Sequence, residues 1–94
     1  MLFVVFALDR PDAQALRLAN RQAHLDYLKS FEKQLVFAGP LQTDDGEGMV
    51  GSLLVMDFPD HAAARAFSEG DPYRKAGLFR SVEIRRWKKV LPNS

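Results

Sequence analysis

An α+β fold of order β-α-β-β-α-β is what three features of the chain predict. Apolar runs rich in β-branched and aromatic residues begin near Leu2, Leu35, Met49 and Val82. The stretches after the first and third runs carry helix-start chemistry and helical spacing. Only a short acidic turn, with Asp44-Asp45-Gly46, separates the second and third runs, which suits an antiparallel pair. Two right-handed βαβ crossovers then give a four-stranded antiparallel sheet with two helices on one face, the ferredoxin-like arrangement.

The first strand is read as Leu2 to Leu8, an unbroken apolar run without alternation, as expected of a central strand covered on both faces. It lacks the basic start and small-residue cleavage site of a signal peptide. Pro11 and Asp12 supply a preset φ and a capping carboxylate, and helical spacing runs from there to about Lys33. Leu35 to Ala38 reads as a short strand stopped by Gly39-Pro40, and Met49 to Phe58 as the third strand. Asp60 is the expected N-cap of a second helix closed by Gly70. Asp71-Pro72-Tyr73-Arg74-Lys75-Ala76-Gly77 follows as a separate helical turn with its own cap, first-position proline and terminal glycine. The last strand takes in Val82 to Arg85 and continues through Trp87 towards Val90. Trp87 is out of phase with Val82 and Ile84, so it lies on the other face or follows a bulge.

The 94 residues suffice for one domain, residues 1–94, with 47% apolar and 27% charged side chains. Thirteen basic against twelve acidic side chains leave a formal charge of +1, so no global field favours nucleic acid or an anionic membrane. No apolar run approaches the roughly 18 residues of a membrane-spanning helix. The absence of cysteine excludes disulfides and thiol chemistry and fits a cytoplasmic location. A small sheet with helices on one face leaves its other face apolar, which predicts a homodimer.

Of the two histidines, His24 carries the functional interest. At about 100° per residue Leu16, Asn20, Ala23, Tyr27 and Phe31 share one helix face, and Gln22, Asp26, Lys29 and Lys33 lie opposite. His24 sits at the edge of the apolar group, with Arg17 and Arg21 near it in projection. A histidine so placed is either a hydrogen-bonded structural residue or an acid/base group. His61 falls in an exposed first turn. Gly46-Glu47-Gly48-Met49-Val50-Gly51 fits a dinucleotide-binding glycine pattern letter for letter, but an acidic turn precedes it and a strand follows, so nothing would hold a pyrophosphate. The histidines and scattered carboxylates show no metal-ligand spacing, and no metal or cofactor is expected.

The opening strand, Arg21-Gln22-Ala23-His24-Leu25, Ala38-Gly39-Pro40, Gly51-Ser52, Asp71-Pro72-Tyr73 and Trp87-Lys88-Lys89-Val90 together resemble the YCII-like (YciI-like) family along essentially the whole chain. The resemblance implies a dimeric α+β barrel type of ferredoxin-like fold, with dimers formed through the sheets. It also implies a cleft with a His-Asp pair, here His24 and Asp71. Gln22 stands where many members have Pro, a solvent-side change. Arg21, Gly39, Pro40, Ser52 and Tyr73 are then expected to bind substrate, with Gly51 also lining the cleft. The chemistry expected is cofactor-independent proton abstraction, elimination or isomerisation on a small molecule. The alternatives are a non-catalytic module binding a small ligand or protein in the same cleft and, for Asp71, a purely capping role.

Overall fold

A computed structural model describes residues 1–93. The elements are β1 (Leu2–Asp9), α1 (Gln14–Lys29), β2 (Leu35–Gln42), β3 (Met49–Asp57), α2 (His61–Gly70), α3 (Pro72–Lys75) and β4 (Phe79–Trp87). They form one antiparallel sheet of order β2-β3-β1-β4, so the fold is the ferredoxin-like βαββαβ expected. Among the described residues, no helix is long and apolar enough to cross a membrane.

Side-chain parity divides the sheet. Phe3, Val5 and Ala7 pair with Met56, Leu54 and Ser52 on one side and with Arg86, Ile84 and Val82 on the other. That inner face meets the helices, where Leu28 of α1 and Ala64 and Phe67 of α2 close a core with Phe3, Val5, Leu54, Met56 and Phe58. Leu2, Val4, Phe6 and Leu8 point the other way and stay partly exposed, so β1 is central but alternates in burial. The expectation of equal cover on both faces fails because no helix covers the outer one. Phe37 (64% exposed), Leu53 (40%) and Trp87 (38%) lie on this outer side. Trp87 stands opposite Leu2 in regular register, and the only irregularity of the β1–β4 pair falls at Leu8/Asp9.

The bounds of α1, β2 and β4 differ from the sequence reading. Asp12 does not cap α1: it adopts a left-handed φ of 56°, and the helix starts at Gln14 behind Ala13, without a side-chain cap. The helix ends at Lys29, and irregular turns carry the chain to β2. β2 is not stopped by Gly39-Pro40 but runs through them, with Pro40 opposite Ser52. Because β2 is an edge strand, a residue without an N–H is tolerated there. β4 starts earlier and ends earlier than expected, at Phe79 and Trp87.

Local chemistry fixes the second half as the sequence suggested. Asp60 accepts from Ala63 N at 2.8 Å, Asp71 accepts from Tyr73 N at 2.9 Å with Pro72 in the first turn, and Gly77 takes φ 76°. Gly70 has a further reason to be glycine. A Cβ there would meet the Tyr27 hydroxyl and lie 3.1 Å from Tyr27 Cζ, and that hydroxyl donates to Phe67 O at 2.9 Å. Gly70→Ala should therefore destabilise by roughly 1–3 kcal/mol despite the better helix propensity of Ala. In urea melts the cost should shrink when Tyr27→Phe removes the obstructing hydroxyl; strict additivity of the two changes would contradict this packing.

Candidate active site

Helix α1 turns a polar stripe inward. Arg17, His24 and Leu28 are its buried residues, whereas Leu16 and Ala23, read from the sequence as part of the apolar face, are exposed. The stripe is rotated because each buried polar group finds a fixed partner. Arg17 Nε donates to Asp9 Oδ2 at 2.8 Å and its terminal nitrogen to Asp9 Oδ1 at 2.9 Å, a two-pronged pair at the end of β1. The same terminal nitrogen donates to Ser52 Oγ of β3 at 2.9 Å. Burial works against the charge of Arg17, but the bond and field of Asp9 outweigh it and raise the guanidinium pKa above its ordinary value. Arg17 is thus a permanent cation locked into the floor.

His24 and Asp71 meet across 47 positions of sequence, with Nδ1 2.8 Å from Oδ1. That oxygen already accepts the Tyr73 N–H, so the imidazole is the donor and its Nδ1 carries the hydrogen. No side-chain nitrogen or oxygen is buried without a partner among the described residues, so the unbonded Nε2 reaches accessible space. Tyr73 then packs its ring parallel to the imidazole, with centroids 3.9 Å apart and planes 16° from parallel. Arg17 Cζ lies 4.6 Å from the Tyr73 centroid, so this ring contacts both the imidazole and the guanidinium. Burial raises the Tyr73 hydroxyl pKa above 10, with Arg17 and Arg21 opposing the shift.

These groups border a cavity of about 180 Å³ between α1 and the β2–β3 edge. Of the positions expected from sequence, Arg21, His24, Gly39, Pro40, Ser52 and Tyr73 line it, together with Leu25, Leu28, Ala38 and Met49. Asp71 lies behind His24. The continuation of β2 through Gly39 and Pro40 makes them a wall, and a Cβ at Gly39 would meet nothing within 4 Å. Gly51 does not line the cavity. A side chain there would run into the Ala7 carbonyl oxygen and lie 2.8 Å from Leu41 Cδ1, so its smallness serves the sheet. His61 is remote, exposed, and 3.4 Å from the Ile84 carbonyl oxygen. Asp9 was missed by the sequence reading, although it continues the inward parity of Phe3, Val5 and Ala7.

Asp9→Asn would leave Arg17 charged with a neutral partner, and should cost about 3 kcal/mol or more in denaturant unfolding. A cost below about 1 kcal/mol would contradict a locked pair. Burial also holds Tyr27 above 10, with Asp71 adding to the shift. Both tyrosines ionise more readily when unfolded, so their contribution is complete below pH 10 and declines above it. Replacing Tyr27 by Phe should make stability fall less steeply above pH 10.

The family model for the YCII-related domain matches residues 1–88. Protein YciI of Escherichia coli O6:H1, strain CFT073, is 36% identical over 98 residues, covering 97% of this chain and all of the relative. Among solved structures, 5-chloro-2-hydroxyhydroquinone dehydrochlorinase (TftG) from Burkholderia phenoliruptrix AC1100, in complex with 2,5-dihydroxybenzoquinone, superposes with a TM-score of 0.87. It is 36% identical and covers 94% of each chain. A dimeric ferredoxin-like protein of unknown function from Jannaschia sp. CCS1 shares the fold, with a TM-score of 0.52 at 20% identity, over 92% of this chain and 98% of that one. With this match along nearly its whole length, the chain belongs to the YCII-related family.

Proposed function

We propose that this chain is a small-molecule enzyme in which His24 and Asp71 act as a general acid/base pair for proton abstraction, elimination or isomerisation. The observation that carries the reading is the Asp71-bound Nδ1, which leaves Nε2 as the basic nitrogen of a cavity-lining histidine. Similarity to a dehydrochlorinase supports chemistry of this kind. In an elimination, Nε2 takes a proton from substrate carbon or hydroxyl. The released electron pair forms the new π bond as the leaving group departs with its own pair. The imidazolium formed keeps Nδ1–H on the Asp71 carboxylate and its face on Tyr73. The proton then returns from Nε2 to product or water. Arg21, Gly39, Pro40, Ser52 and Tyr73 position the substrate, and the chemistry requires no cofactor or metal.

The working unit in this proposal is a homodimer joined through the outer sheet face. Leu53, Phe37 and Trp87 leave an exposed apolar surface there that a second copy would cover. Light scattering at micromolar concentration should give a dimer and Leu53→Asp should shift it towards monomer; a monomeric parent chain would contradict this.

Asp71 also caps α3, which favours a second reading in which the pair only anchors a bound ligand. The two readings separate on chloride release from 5-chloro-2-hydroxyhydroquinone. His24→Gln and Asp71→Asn should each lower turnover by about 10²- to 10⁴-fold, and Asn still caps the helix, so Asp71→Asn should cost under about 1 kcal/mol in stability. Turnover surviving His24→Gln would refute the acid/base role. If the parent chain gives no chloride and both variants merely melt lower, the binding reading is the better one.

A further inference from the structure

We infer that the cavity takes a single-ring-sized monoanion, apolar in its body, with its negative group at Arg21. The inference builds on the site proposed above and follows from its charges. None of the lining side chains is a carboxylate; the basic ones are Arg17, Arg21 and His24. Two acids stand behind them, each already bonded within the protein. Asp9 neutralises Arg17 and Asp71 bonds His24. Arg21 forms no ion pair or side-chain hydrogen bond among the described residues, yet it lies close enough to act on the Tyr73 hydroxyl. With a neutral His24 the two guanidinium groups and two carboxylates sum to zero, but Asp71 is buried behind the imidazole and bonded there. The unpaired charge presented to the cavity is therefore that of Arg21, and an anion meets it without displacing a built-in partner.

Placement and size complete the specification. Arg17 is locked by Asp9 and Ser52 and cannot follow a ligand. Arg21 is exposed at the rim, one helical turn from His24, free to close on a charged group. Leu25, Leu28, Pro40 and Met49 give the interior an apolar wall. An engineered cavity of about 150 Å³ accommodates benzene, so about 180 Å³ suits one ring or its aliphatic equivalent. The substrate is thus oriented by its charge, with its uncharged reacting portion towards the Nε2 side.

Benzoate, benzamide and benzylammonium share a ring and differ in charge, and their binding to the intact chain by calorimetry tests this. Benzoate should bind about tenfold or more tightly than benzamide, and benzylammonium most weakly. Added salt should weaken benzoate and leave benzamide unchanged. Arg21→Gln should abolish the preference for benzoate and Arg21→Lys should restore part of it. Equal binding of benzoate and benzamide, an unaffected Arg21→Gln, or no binding of any probe at millimolar concentration would overturn the inference. His24→Gln should retain benzoate. Benzoate binding without chloride release would count against proton transfer alone, whereas turnover with a preference for neutral ligands would count against the anion alone.

Discussion

A single carboxylate oxygen, Asp71 Oδ1, holds the site together by accepting from the His24 ring and from the Tyr73 backbone at once. The first bond reaches to α1 and the second starts α3, so this oxygen joins elements that the sheet alone would not bring together. Tyr73 closes the loop: its N–H fixes the acid while its ring fixes the plane of the imidazole that the acid orients. The same geometry serves capping and tautomer selection, which is why neither role excludes the other.

The rest of the site follows from the cost of burying charge. Arg17 is 2% exposed and Asp9 8%, and each is tolerable only because the other is there. Their pair also supports Tyr73, with the guanidinium against the ring. Ser52 extends the anchor to β3, so strand, helix and short third helix share one polar network inside an otherwise apolar inner layer. Such a network, fully partnered, fixes side chains that a purely apolar core would leave free to repack.

Most of the fold was legible because period and punctuation agreed. The strand runs, the Asp60 and Asp71 caps and the terminal Gly77 each act through neighbours close in sequence. The misreadings lie where tertiary context prevails. Gly39-Pro40 looks like a stop until β2 is known to be an edge, and Asp12 looks like a cap until the backbone turns left-handed. On α1 the apolar stripe pointed to Leu16 and Ala23, because no spacing rule ranks an arginine or histidine as inward-facing without its partner. His24 was visible from spacing, and its pairing with Asp71 only through family resemblance, since 47 residues separate them. Asp9 required knowing that β1 runs one residue further with its inward parity intact.

The central claim is that Asp71 holds Nδ1 as the N–H and keeps Nε2 as the lone-pair nitrogen facing the cavity. Nitrogen-15 NMR of the His24 side chain reads this directly, through the distinct shifts of protonated and unprotonated ring nitrogens in the neutral imidazole. The account predicts that His24 in its neutral form is the Nδ1–H species, with Nε2 resonating as an unprotonated nitrogen that responds when a ligand fills the cavity. A neutral imidazole protonated at Nε2 would contradict it.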